Sequence, residues 1–141
     1  MNLSKPEDVL PHRPPFLFLT EILDLEPGKW AKAVWVVDSD EPFFEGHFPG
    51  RPTLPGVLMC ESIAQLGAYL VLKDEQFHGK LPLFGGIDKA RFRRQVSPGE
   101  SLDLYIEVSR LSARAGKATG QASVNGELAC VAELMFVVID Q

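Results

Sequence analysis

Residues 55–72 read PGVLMCESIAQLGAYLVL, and this stretch decides the fold. Its charged or strongly polar side chains are Glu61, Ser62 and Gln65. A bilayer span needs about 20 apolar residues, and an ionisable group near its centre costs a few kcal/mol, so the run is a poor membrane segment. A helix that is apolar nearly all round is instead the buried centre of a globular domain. Pro55 suits its first turn, where a missing N–H costs nothing. The expectation is a single long helix over 55–72 that the rest of the chain has to cover.

Outward from the helix, the covering material reads as strands. Leu102, Leu104, Ile106 and Val108 alternate with Asp103, Tyr105 and Glu107, which is the period of a half-buried strand. Residues 117–124 form a weaker strand, Asn125-Gly126 is a type I′ hairpin signal, and 128–139 (LACVAELMFVVI) is a long, mostly buried strand. Before the helix, 30–37 (WAKAVWVV) reads as a strand, and 16–25 (FLFLTEILDL) reads as a strand or a short helix, ended by Pro27-Gly28. The implied architecture is α+β, with antiparallel strands curled around one central helix in a single domain over 1–141. A sheet on one helix leaves edges uncovered, which favours association with a second copy.

The chain has 141 residues, 45% hydrophobic and 23% charged, enough to bury a core. A formal charge of −5 argues against nucleic-acid binding. Cys60 and Cys130 fit neither a disulfide scaffold nor a metal motif. The opening residues contain no apolar core of a signal peptide, so a reducing, cytoplasmic compartment is expected.

Residues 41–56, EPFFEGHFPGRPTLPG, are dense in proline and glycine and read as a stiff, shaped loop around His47. A histidine held in such a loop is suited to general-base work, although it could equally cap a neighbouring backbone group. Glu61 lies one and a half turns into the apolar helix, where an unpaired carboxylate is expensive. Burial is how proteins keep a carboxylic acid protonated for use as a general acid. Gln65, four residues on, shares its helical face and can orient it. The structural alternatives for Glu61 are a pairing with a cation such as Arg51 or a place in a subunit contact. The free N–H groups at Gly56 and Val57 can hold a developing oxyanion. Base, acid and oxyanion site together suit proton removal beside a carbonyl, followed by loss of a leaving group. Cys60 points to a different helix face from Glu61 and reads as core. Lys89, Arg91, Arg93 and Arg94 fall in KARFRR, with 89, 91 and 93 expected on one strand face. They form either a solvated face or a patch for an acidic or phosphate-bearing partner.

Residues 10–19 (LPHRPPFLFL), 42–65 (PFFEGHFPGRPTLPGVLMCESIAQ), 86–100 (GIDKARFRRQVSPGE) and 125–135 (NGELACVAELM) resemble the Z-type 3-hydroxyacyl-[acyl-carrier-protein] dehydratases of type II fatty acid synthesis. The resemblance covers nearly the whole chain and implies the hot-dog fold. It further implies loss of water from a (3R)-hydroxyacyl group on the phosphopantetheine of acyl carrier protein, giving a trans-2-enoyl thioester. By motif position His47 is then the catalytic histidine, Glu61 the catalytic carboxylate, Gly56 the backbone donor to the thioester oxygen, and Gln65 the support of Glu61. KARFRR becomes a docking surface for the carrier protein. The resemblance implies no metal and no organic cofactor. It implies a homodimer, with a trimer of dimers as a further assembly, whose site joins His and Glu from opposite protomers.

The chain departs from the family at three places. Pro14 stands for a Tyr, Thr20-Glu21 for an Asp-Arg pair, and Leu83-Phe84 for a Tyr-Phe pair near the substrate tunnel. These bear on chain length and pathway, leaving open a dehydratase of a specialised lipid or polyketide pathway. The alternative reaction is that of a hot-dog acyl thioesterase, in which Glu61 would activate water.

Overall fold

In the computed structural model, which describes residues 3–141, the apolar run forms the 17-residue helix α2 (Gly56–Leu72), preceded by a one-turn α1 (Pro6–Val9). Pro55 is the residue before the helix, in extended backbone, rather than part of its first turn. The strands are β1 (Glu21–Glu26), β2 (Trp30–Val36), β3 (Lys80–Phe92), β4 (Ser101–Leu111), β5 (Ala115–Val124) and β6 (Glu127–Asp140). They make one antiparallel sheet in the order β1-β2-β4-β5-β6-β3.

The order follows from the helix. The chain leaves β2, crosses the sheet as α2, and lays β3 on the far edge; β4, β5 and β6 then fill the gap as a meander. Hairpin β5–β6 turns on Asn125 and Gly126, both at positive φ (49° and 82°), as the type I′ signal requires.

Ile63, Leu66, Tyr69 and Leu70 of α2 are fully buried. Each aliphatic side chain so buried contributes about 1.5–3 kcal/mol relative to exposure. The weak strand signal at 117–124 has a physical reason. The inward positions of β5 are Gly116, Ala118, Gly120, Ala122 and Val124, small residues that let the helix approach. A Cβ on Gly120 would lie 2.2 Å from Ile63 Cγ2.

Two further sequence expectations need correction. Within 16–25, only Glu21–Glu26 becomes strand; residues 16–19 run irregularly along α2, because its polar side chains take their backbone groups. Ser62 Oγ donates to Phe18 O (2.6 Å), while Gln65 accepts from Phe18 N (2.8 Å) and donates to Phe16 O (3.1 Å). Further along, Tyr69 donates to Ser4 O (2.7 Å) and Lys73 Nζ to Ser4 Oγ (3.4 Å). Ser62, Gln65, Tyr69 and Lys73 thus form a polar stripe at helical spacing that straps the N-terminal segment down. The second correction concerns KARFRR. The β3–β6 register shifts between Asp88 and Arg91, Lys89 has φ 51°, and Arg93 lies beyond the strand, so the simple alternation of 89, 91 and 93 is broken.

Candidate active site

The loop that carries His47 is built on a tight turn. Arg51 N donates to Phe48 O (2.8 Å), with Pro49 second and Gly50 third in the turn; Gly50 has φ 76°, the backbone a type II turn demands there. Thr53 N donates to His47 O (2.8 Å), and Leu54 N ties the loop to Val96 O (2.8 Å). His47 Nδ1 sits 2.8 Å from Thr53 O. A carbonyl only accepts, so Nδ1 carries the proton and Nε2 is left with its lone pair. The backbone-capping role and the base role are therefore compatible, one on each ring nitrogen. The ring of Phe48 stacks on His47 at 4.0 Å between centroids.

His47 opens onto a cavity of about 530 Å³ that also meets Gly56, Val57, Phe92, Arg93 and Arg94. No side chain caps the start of α2, and Gly56 and Val57, whose N–H groups have no intrahelical carbonyl to reach, line this cavity. Gly56 is needed for packing: a Cβ there would lie 2.8 Å from the Phe92 ring. Val57, Phe48 and Phe92 are 68%, 52% and 52% exposed, an apolar rim around the helix start.

Glu61 does not line this cavity. It faces the N-terminal segment, and its side chain is 20% exposed, less buried than the apolar helix suggests, because its face of α2 stays open beside residues 12–16. Gln65 Nε2 donates to Glu61 Oε2 (3.0 Å). Gln65 is 1% exposed with both ends of its amide engaged, so it is a fixed support. Arg51 makes no ion pair among the described residues, so it is not the partner of Glu61. His12, which sequence reasoning did not single out, lies with Nε2 3.8 Å from the same Glu61 oxygen. Its only sequence signal is its place in the Pro-rich LPHRPP stretch.

The basic residues divide. Arg94 is locked: Nη1 and Nη2 reach Glu100 at 3.0 and 2.9 Å and Nε reaches Glu127 at 2.8 Å. These bonds raise the guanidinium's pKa still further and, with the Ser97 N–H, hold the Glu100 carboxyl below the usual range. Lys89 lies 3.8 Å from Glu133. Arg91 turns to the carbonyl of Ala90 (3.0 Å), and Arg93 borders the His47 cavity.

Leu83 and Phe84 meet Ala64, Gly67 and Ala68 of α2 at a notch of about 20 Å³. Ala64 and Ala68 follow Glu61 at helical spacing, so a line of small residues runs from Glu61 to the β3 edge. Cys60 and Cys130 are buried free thiols with sulfurs 4.0 Å apart. Hydrogen bonding from Cys130 draws the Cys60 thiol down, and Cys130 is pushed up by that same contact and by burial. Among the described residues, no helix is long and apolar enough to cross a membrane, and no cluster of potential ligands suits a metal ion.

Residues 10–133 match the FabA-like domain family. The chain is 48% identical over 138 residues to the 3-hydroxyacyl-[acyl-carrier-protein] dehydratase FabZ of Pelotomaculum thermopropionicum, covering 98% of this chain and 99% of that one. It is 46% identical to the FabZ of Staphylococcus carnosus, covering 95% and 92%. Among solved structures, the dehydratase heterocomplex ApeI:P from Xenorhabdus doucetiae superposes with a TM-score of 0.84 at 19% identity, covering 99% of this chain and 93% of that one. A thioesterase from Haemophilus influenzae superposes with a TM-score of 0.58 at 18% identity, covering 84% and 77%. These structural likenesses bear on the fold, which is the hot-dog fold expected from the sequence.

Proposed function

Because the chain belongs to the FabA-like family, and within it to the FabZ-type 3-hydroxyacyl-[acyl-carrier-protein] dehydratases, we propose that its chemistry runs between His47 and Glu61 at the boundary of two copies of the chain. The activity is elimination of water from a 3-hydroxyacyl group on acyl carrier protein, giving the enoyl thioester, in fatty acid biosynthesis. The thioesterase alternative rests on shared fold alone.

His47 Nε2 takes a proton from C2, which the thioester acidifies. The N–H groups of Gly56 and Val57 receive the charge that develops on the thioester oxygen. Glu61 gives its proton to the C3 hydroxyl, the C3–O bond breaks, and water leaves. The observation that carries the two-copy reading is the separation within one chain: His47 opens onto the cavity at the start of α2, whereas Glu61 lies outside that lining. The exposed rim of Val57, Phe48 and Phe92, and an edge strand β3 with Leu83, Phe84 and Ile87 more than 40% exposed, are the surfaces a second copy would cover. Glu61 of the partner subunit would then face His47. Assembly into a trimer of dimers remains part of the same proposal, as does a cytoplasmic location, both carried over from the family resemblance.

Arg91 and Arg93 are the cations left to receive the acidic carrier protein, while Arg94 holds the loop between Arg93 and Glu100 in shape. The acyl chain would follow Ala64 and Ala68 toward Leu83-Phe84. The test is hydration of short and long enoyl thioesters of acyl carrier protein, following enoyl absorbance and free thiol together. Loss of absorbance without thiol, abolished in His47→Ala and Glu61→Gln, supports the proposal; wild-type rates in either variant refute that residue's role.

A further inference from the structure

Glu61 has two carboxyl oxygens, and both neighbours that could restrain it converge on one of them. Gln65 Nε2 lies 3.0 Å from Oε2, and His12 Nε2 lies 3.8 Å from the same atom. His12 Nδ1 is buried and has no hydrogen-bond partner among the described residues. A neutral imidazole carries one proton, and a buried nitrogen without an acceptor is a costly place for it. The proton therefore belongs on Nε2, aimed at Glu61. The neighbouring Arg13 is turned away: its Nη1 donates to Leu10 O (2.8 Å) and His12 O (2.7 Å), which also fixes the backbone that carries His12.

We propose that His12 is a positioning residue for Glu61, holding Oε2 jointly with Gln65 so that Oε1 is the oxygen presented to the substrate hydroxyl. The inference rests on the acid role assigned to Glu61. A 3.8 Å separation is longer than a hydrogen bond, and closing it takes a shift of about 1 Å. That shift is favoured as Glu61 surrenders its proton and becomes a carboxylate, since an N–H bond to an ionised oxygen is the stronger one. His12 thus contributes more to the state after proton transfer than to the resting enzyme, and an interaction of that kind shows in kcat rather than KM.

The test compares His12→Gln, His12→Asn and His12→Phe, with Glu61→Gln alongside, in dehydration of a 3-hydroxyacyl thioester of acyl carrier protein and in thermal melts. Gln can place an N–H where Nε2 stands; Asn is too short; Phe keeps the ring shape without a donor. The expected result for Phe and Asn is a fall in kcat of about 10- to 10²-fold, the scale of a misplaced catalytic group, with KM little changed. Gln should restore most of the rate. Wild-type kcat in His12→Phe, or equal rates in Gln and Asn, would each overturn the proposal. If His12→Phe melts early, the Gln–Asn comparison decides. A Glu61→Gln enzyme with wild-type kcat would instead remove the premise, and is read separately in the same series.

Discussion

Across α2, Ile63 meets Gly120 so closely that no Cβ fits between them, while at the helix start Val57 stands 68% exposed beside the exposed rings of Phe48 and Phe92. The strands tell the same story. Along β5, inward Gly116, Ala118, Gly120, Ala122 and Val124 are all buried, whereas in β3, of thirteen residues, Pro82 alone is buried and Leu83, Phe84, Ile87 and Phe92 are open. One side of the helix is finished within a single chain; the other is apolar, shaped and uncovered. His47 and Glu61, the residues proposed for catalysis, lie on the unfinished side. On that proposal, stability and catalysis are drawn from different sides of one helix and should be damaged separately.

The largest expected effect is on rate. His47→Ala should lower kcat for dehydration by about 10²- to 10⁴-fold, the usual worth of a general base, while leaving the melting temperature in place because its loop is held by backbone bonds. Activity within a few-fold of wild type would remove His47 from the mechanism.

Gly120→Ala should do the reverse. Its Cβ would sit 2.2 Å from Ile63 Cγ2 and 3.3 Å from the Tyr105 carbonyl, an overpacking that costs about 1–3 kcal/mol. Denaturant midpoints measure it, and on an Ile63→Ala background the same change should cost less, since Cγ2 is gone. An equal cost on both backgrounds would mean that the helix–sheet approach is not what requires glycine.

Ile87→Asp, on the open edge, should halve the mass seen by sedimentation and take activity with it, while circular dichroism keeps its native shape. A variant that stays a dimer at full activity would locate the contact elsewhere.

The smallest effect concerns pH. Arg94 and the Ser97 N–H hold the Glu100 carboxyl below its ordinary value, so this ion pair stabilises the fold above the unfolded carboxylate range and is lost as pH falls through the folded value. The melting temperature of wild type should exceed that of Glu100→Gln at neutral pH, with the gap closing in acid. A gap that persists at low pH would point to packing instead of charge.

The helix, the Asn125-Gly126 hairpin and the alternating strand 102–108 were legible because each is set by local chemistry: a continuous apolar run, a turn needing positive φ, a period of two. What escaped was set by contact with distant residues. Residues 16–19 are as apolar as a strand, yet Ser62 and Gln65 take their backbone groups. The bulge between Asp88 and Arg91 leaves no trace in composition, and neither does the pairing of Arg94 with Glu100 and Glu127. Around the proposed site, the bond between Gln65 and Glu61 was legible from helical spacing, and the backbone contact of His47 with Thr53 from its place in a stiff loop. The contact of His12 was not, because its meeting with Glu61 joins positions far apart in sequence.

Subunit mixing tests the central claim most directly. His47→Ala and Glu61→Gln chains, each inactive as a pure dimer, are unfolded together, refolded and assayed by enoyl absorbance. If each site takes His47 from one copy and Glu61 from the other, a mixed dimer regains one intact site, and random mixing returns about a quarter of wild-type activity. If both residues serve the same chain's site, every mixed dimer stays as inactive as its parents, and the two-copy account is wrong.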